Sequence, residues 1–126
     1  MPYVANLTTA MGFRGQLVGN GQCVSFVHAV TLIPPASLWH RGEAVKGSST
    51  IQPGTVIATF DPDGRYGNHT DGRSHAAVYL GQDAHGIRVL DQWNGHTRQP
   101  VHERVLRFRH GQGTMVNDGD QFYVVR

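Results

Sequence analysis

Gly19-Asn20-Gly21-Gln22-Cys23-Val24-Ser25-Phe26-Val27-His28-Ala29-Val30 joins a glycine-broken turn to an apolar pattern of helical period, with the chain's only cysteine at the junction. Cys23, Phe26, Val27 and Val30 fall at i, i+3, i+4 and i+7, one face of a helix that buries that face. Cys23 therefore belongs to the first turn. Backbone N–H groups without intrahelical partners and the positive end of the helix dipole stabilise an anion there, which lowers a thiol's pKa. The alternative use of the same position is an inert, buried cysteine acting as a small hydrophobe. The spacing predicts that the helix runs to about Leu32 and stops before Pro34-Pro35, because proline cannot continue a helix and restricts the residue ahead of it.

On the N-terminal side, Leu7, Met11 and Phe13 predict a short amphipathic turn, and Gly12, Gly15 and Gly19 interrupt anything longer. On the C-terminal side, Ser37 to His40 reads as one more helical turn with Trp39 as a core anchor. Glu43 to Thr50 reads as a polar loop. After the Pro53-Gly54 turn the pattern changes period: Thr55 to Phe60 is β-branched and predicts a strand. Asp61 to Arg73 has no apolar periodicity and is long for a loop in a small domain, a length that tends to go with function. Ser74 to Leu80 and Gly86 to Gln92 predict a hairpin closed by Gly81 to His85, and Val101 to Phe108 and Phe122 to Val125 predict two more strands. Helices first and antiparallel strands after them predict an α+β fold, with N-terminal helices packed on one side of the sheet. No repeat is visible, and residues 1–126 are expected to form a single domain.

At 126 residues with 39% hydrophobic and 16% charged side chains, the composition is that of a globular chain large enough to bury a core. One cysteine excludes an internal disulfide framework and a multi-cysteine zinc site. No apolar run approaches the roughly 20 residues of a membrane span. Met1 to Gly12 lacks a basic start followed by an apolar core, so no secretory leader is expected, and any work outside the producing cell would need export machinery that cleaves no signal. A net charge of +2 gives a pI near 9.0. Its densest contributors, Arg98, Arg104, Arg107 and Arg109, form no stripe with stacking aromatics, so nucleic acid is not an expected partner. A mildly basic surface suits an anionic polymer such as bacterial cell wall.

A cysteine nucleophile needs a base, and the base needs an acceptor on its far ring nitrogen. In Ser74-His75-Ala76-Ala77-Val78-Tyr79-Leu80-Gly81, His75 opens the strand. Alternation puts His75, Ala77 and Tyr79 on one face and Ala76, Val78 and Leu80 on the other. The small Ala77 is expected to leave room for a helix to approach. The hairpin returns the end of Ile87-Arg88-Val89-Leu90-Asp91-Gln92 to the level of His75. Asp91, or Gln92 or Asn94 beyond it, then comes within reach of the imidazole, where a carboxylate would favour the imidazolium of an ion pair.

Gly-Gln-Cys opening a helix, Ser-His-Ala-Ala-Val-Tyr-Leu-Gly on a strand, and a polar residue ending the next strand together resemble the papain-like NlpC/P60 and CHAP amidases, cysteine enzymes that cut peptidoglycan peptides. Gln22-Cys23 is the CHAP form of the motif; the Asp-Cys-Ser-Gly common in NlpC/P60 enzymes is absent. Pro53-Gly54 leading into Thr55 to Phe60 is similar to the family's first strand, and the resemblance spans roughly residues 19 to 95. It implies a papain-like single domain with Cys23 as nucleophile and His75 as general base. For the third position it implies Asp91, with Asn94 as a second polar partner, while Gln92 faces the wrong side of a regular strand. The backbone N–H of Cys23 is the implied oxyanion donor, Gln22 and Tyr3 are candidates for a second, and Trp93 is a candidate substrate platform. No cofactor or metal is implied, and a monomer is expected. Small size and the absence of a wall-binding domain also resemble type VI secretion amidase effectors. Those are made in the cytoplasm, delivered to a rival's periplasm and held inactive at home by an immunity protein.

Two other functions compete at this point. One is a metallohydrolase using His69, His75 and an aspartate, with Cys23 incidental, although no tight His spacing accompanies it. The other is an inactive domain of the same fold that binds a wall peptide or a protein partner. Asp61, Asp63, His69 and Asp71 lack the later ligands of an EF-hand loop. His28 lies off the cysteine's helix face and is not expected to be the base.

Overall fold

The run around His75 forms the strand on which the molecule is built. The computed structural model describes residues 2–95 and 97–126, so Met1 and His96 lie outside the described residues. In chain order come α1 (Leu7–Met11), α2 (Cys23–Val30), a 3-10 turn (Ala36–Leu38), β1 (Arg41–Ala44), β2 (Val56–Thr59), β3 (Ala76–Gln82), β4 (Gly86–Asn94), β5 (Arg98–Arg107) and β6 (Phe122–Val125). Among the described residues the strands make one six-stranded sheet in the order β1-β6-β2-β3-β4-β5, with every neighbouring pair antiparallel. Helices on an antiparallel sheet are the α+β arrangement that the change of period predicts.

Strand alternation divides the core into two layers. Val56, Ala58, Ala76, Val78 and Leu90 face α2, where they bury Phe26 and Val27 together with Trp39. Ile57, Ala77, Tyr79, Ile87, Val89, Leu106, Phe122 and Val124 form the opposite layer. The four residues of β2 are fully buried, which is why a short strand of apolar and β-branched residues can hold the centre of the sheet. Burying a side chain the size of Phe26 or Val27 contributes about 2 kcal/mol, so α2 is held by this face rather than by helix propensity.

Three expectations need correction. Ala77 lies in the layer away from α2, so its small size does not admit the helix; Ala76 and Val78 meet α2 instead. Glu43 and Ala44, expected in a loop, belong to β1, because an edge strand is specified by backbone pairing and the pairing of Arg41 with Val125 and Ala44 with Tyr123 needs no apolar alternation. The helix ends at Val30 rather than Leu32. Thr31 leaves helical geometry at φ −141°, its hydroxyl donates to the Val27 carbonyl at 2.7 Å, and Leu32 is fully exposed.

Candidate active site

Cys23 is positioned by the turn ahead of it and by the end of β4. Gly21 has φ +84°, and a Cβ there would stand 3.0 Å from Asn94 Cβ, so glycine is required for both the backbone angle and the close approach. Asn20 Oδ1 accepts from the Gln22 backbone N–H at 2.9 Å and from the Ser25 hydroxyl at 2.6 Å, bracketing the cysteine on both sides. The Gln22 carboxamide donates to the Asn94 carbonyl at 2.9 Å, and the Asn94 carboxamide donates to the Asn20 carbonyl at 3.1 Å. Gln22 and Asn94 thus tie the Cys23 turn to β4, and neither of these contacts involves His75.

Gln92 faces away from Asp91, as expected of the next residue in a strand, and what it faces is the Cys23 turn. Fully buried, it accepts from the Val18 N–H at 2.7 Å and donates to the carbonyls of Val18 and Gln22 at 2.9 and 2.8 Å. Gln92→Leu leaves the Val18 N–H without its partner and takes one of two bonds from each of the Val18 and Gln22 carbonyls, which still accept from Gly21 and Ser25. It should therefore lower unfolding free energy by about 1–3 kcal/mol in a denaturant titration. A loss below about 0.5 kcal/mol would show that water replaces the amide without cost.

His75 precedes β3 and is pinned from β2: its N–H donates to Thr59 Oγ1 at 3.0 Å and its carbonyl accepts from the Thr59 N–H at 3.0 Å. The Val78–Leu90 register puts Asp91 opposite Ala77 and diagonal to His75 on one face. The short Ala77 leaves that diagonal open. His75 Nε2 donates to Asp91 Oδ2 at 2.6 Å, with the carboxylate fully buried. Arg104 on β5 closes the other side of the carboxylate, Nε lying 3.1 and 2.9 Å from its two oxygens. Burial works against ionisation of Asp91, yet the hydrogen bond and charge of His75, followed by those of Arg104, hold its pKa below the ordinary carboxylate value.

The same competition acts on Cys23 and His75. Burial opposes a thiolate at Cys23. The charge and hydrogen bond of His75, the Ala76 N–H and the Tyr66 hydroxyl overcome it and lower the thiol's pKa. Burial also opposes an imidazolium, but Cys23 and Asp91 on either side of the ring carry His75 up to about 9. A lowered thiol beside a raised imidazole is the electrostatic condition for an ion pair at neutral pH.

Tyr66 is the neighbour that sequence reading missed. Its hydroxyl lies 3.7 Å from Cys23 Sγ, and its ring is wedged against Trp39 and Phe60, with centroids 4.8 and 6.4 Å away. Burial, then the adjacent Cys23 charge, raise its pKa, so it keeps its proton and can donate. It sits in the loop 61–73, whose lack of periodicity hid it; the usable signal was a lone aromatic among polar residues. That loop is braced by His69 on Asp61 at 2.8 Å, by Arg73 on His69 at 3.2 Å and by the His69 N–H on Ser74 Oγ at 2.8 Å. The space a Cβ at Gly67 would need is filled by His69 and Asp61. Tyr3, the other aromatic considered, packs against the helix-side core, and its carbonyl accepts from Val56.

These groups open on a cleft of about 750 Å³ lined by Cys23, Tyr66, His75, Trp93, Asn94 and Arg104, among others. Trp93 is half-buried, its indole N–H on Thr97 at 2.9 Å. His69 and His75 both reach the cleft, each paired with a different aspartate. Among the described residues no three His, Cys, Asp or Glu side chains converge as a metal site would require.

A family model described as domesticated amidase effector 2 matches residues 4–125. The chain is 42% identical over 120 residues to a type VI secretion amidase effector 2 protein of Salmonella typhi, covering 94% of this chain and 88% of that protein. It is 36% identical over 89 residues to domesticated amidase effector 2 of Ixodes scapularis, covering 69% of this chain and 56% of that protein. The solved structure of type 6 secretion amidase effector 2 superimposes with a TM-score of 0.85 at 39% identity, over 100% of this chain and 95% of that one.

Proposed function

The chain belongs to the domesticated amidase effector 2 family, and we propose that it is a papain-like cysteine amidase that hydrolyses an amide of peptidoglycan stem or cross-link peptides. The observation that carries this reading is the buried His75–Asp91 pair at 2.6 Å, with His75 lining the same open cleft as Cys23. Cys23 is the nucleophile, His75 the base and Asp91 the residue that orients it. The order cysteine, histidine, polar residue resembles that of NlpC/P60 and CHAP enzymes, and residues 1–126 act as one catalytic domain. The names of the relatives support delivery by a type VI apparatus, and action in a target cell's periplasm with restraint by an immunity protein at home belongs to the same proposal.

The steps are those of acyl transfer. The Cys23 thiolate attacks the amide carbonyl, and the new oxyanion is met by the backbone N–H of Cys23 at the start of α2 and by the hydroxyl of Tyr66. One such preorganised donor is worth about 3 kcal/mol in the transition state. The His75 imidazolium protonates the departing amine, and the C–N bond breaks to leave a thioester. His75, now neutral, takes a proton from water, which attacks the thioester and releases the peptide acid and the thiolate. Trp93 and Asn94 line the cleft beside the cysteine and are placed to contact the peptide.

The test is digestion of purified Gram-negative sacculi, read by chromatography and mass spectrometry, with the wild type and Cys23→Ala. New muropeptides from the wild type alone support the amidase, and their masses name the bond. Identical profiles from both would sink it. Activity should form a plateau in pH. It begins below the ordinary thiol range, because Cys23 is lowered, and ends on an alkaline limb near 9 where the imidazolium loses its proton. An alkaline limb near the ordinary histidine value of about 6.5 would contradict the ion pair.

A further inference from the structure

Arg104 does more than pair with one carboxylate. It stands opposite Val89 in the β4–β5 register, which puts it diagonal to Asp91 on the same face. Its Nε and Nη2 form a fork on Asp91, Nη2 lying 2.9 Å from Oδ2. The same Nη2 lies 3.3 Å from His75 Nε2. Because that ring nitrogen already donates to Asp91, the contact sets two donors against each other, and two positive charges once the imidazole is protonated. The guanidinium carbon rests 4.8 Å over the ring of Trp93, so the fork is held from below and cannot swing away freely.

We propose that Arg104 is a positioning residue with two opposed actions on one ion pair: its fork fixes the Asp91 carboxylate against His75, and its charge limits how strongly the imidazolium is held. The first action sets geometry. The second prevents a buried aspartate from locking the proton on His75, which must leave the ring when the amine departs. The proposal rests on the reading of Cys23 and His75 as a thiolate–imidazolium pair.

The groups facing His75 separate the two actions. Cys23 comes from α2, Asp91 from β4, Arg104 and the more distant His102 from β5, and the uncharged Tyr66 reaches it through the sulfur. Thr59 from β2 and Phe122 from β6, the latter ring at 6.3 Å, carry no charge. In the alkaline range Asp91 stays ionised whether or not Arg104 is present, because its hydrogen bond to His75 remains. What removal of the guanidinium changes at the alkaline limb is therefore the repulsion. The limb should rise, although a positive charge next to a carboxylate is usually credited with helping the ion pair.

The experiment is alkylation of the full chain by iodoacetamide across about pH 4 to pH 10.5, which reads Cys23 alone because the chain has one cysteine. It depends on no assumption about substrate. The wild type should react well below the ordinary thiol range and show a second inflection near 9 as the imidazolium deprotonates. In Arg104→Gln that inflection should move up by about half a unit or more. On sacculus-derived peptides, kcat should fall roughly tenfold with KM nearly unchanged, because the carboxylate is no longer clamped. Arg104→Lys keeps the charge and loses the fork, so its inflection stays near the wild-type value while kcat falls; it decides the matter if Arg104→Gln does not fold. An unmoved inflection in Arg104→Gln, or an Arg104→Lys enzyme equal to wild type in both readouts, would overturn the proposal. A wild-type profile with a single free-thiol inflection would overturn the ion-pair reading beneath it. A normal alkylation profile with no peptide cleavage would instead count against the substrate alone.

Discussion

Cys23→Ala should release no muropeptide from sacculi, a loss of about four to six orders of magnitude in kcat, while unfolding within about 3 °C of the wild type. The two halves have different physical grounds. Without the sulfur there is no covalent intermediate, and what remains in the cleft only binds and polarises an amide. The fold survives because Cys23 is half-buried at the edge of the helix-side core, which Phe26 and Val27 fill. Alanine also suits a first helical turn, and the substitution removes a thiolate that burial disfavours. The circular dichroism spectrum should be superimposable on that of the wild type. Cleavage by the alanine variant at even a hundredth of the wild-type rate would mean that another group attacks.

His75→Ala should lose nearly as much, and Cys23→Ala/His75→Ala should be no worse than either single variant, because in the proposed mechanism nucleophile and base act as one unit. Alkylation separates this from a folding defect. Without the imidazolium, burial still raises the pKa of Cys23, while the charge and hydrogen bond of His75 that did most to lower it are gone. Its reactivity at neutral pH should therefore drop sharply while the protein remains folded. Asp91→Asn should cost less, roughly tenfold to a hundredfold, since an amide oxygen in the same place still accepts from Nε2–H. It should also destabilise by about 1–3 kcal/mol, because half-buried Arg104 is left against a neutral partner. If Asp91→Asn is as slow as His75→Ala, the carboxylate does more than orient the ring.

The turn residues and the single cysteine at a helix start were readable without coordinates, because caps, dipole and period are local properties of the chain. The strand order Ser74 to Leu80 then Gly86 to Gln92 was readable for the same reason. A hairpin brings its own ends together, so Asp91 returns to His75 wherever the rest of the molecule lies. Gln92 shows the boundary of that reading. Alternation foretold that it faces away from Asp91, but its three bonds to Val18 and Gln22 depend on which loop packs on that side. β1 was missed because an edge strand of Arg, Gly, Glu and Ala carries no apolar signal and takes its form from the partner strand.

By itself the sequence determined the α+β order of elements, the helix that opens on Cys23 and the hairpin that joins His75 to Asp91, all set by periodicities and turns spanning fewer than about 20 residues. Only the tertiary structure decided that Tyr66 reaches the sulfur from a loop 43 residues away and that Arg104 clamps Asp91 while pressing on His75. Nothing local specifies those contacts. They arise where a loop and a third strand pack against the hairpin, and burial there makes each charge act on its neighbours far more strongly than it would in water.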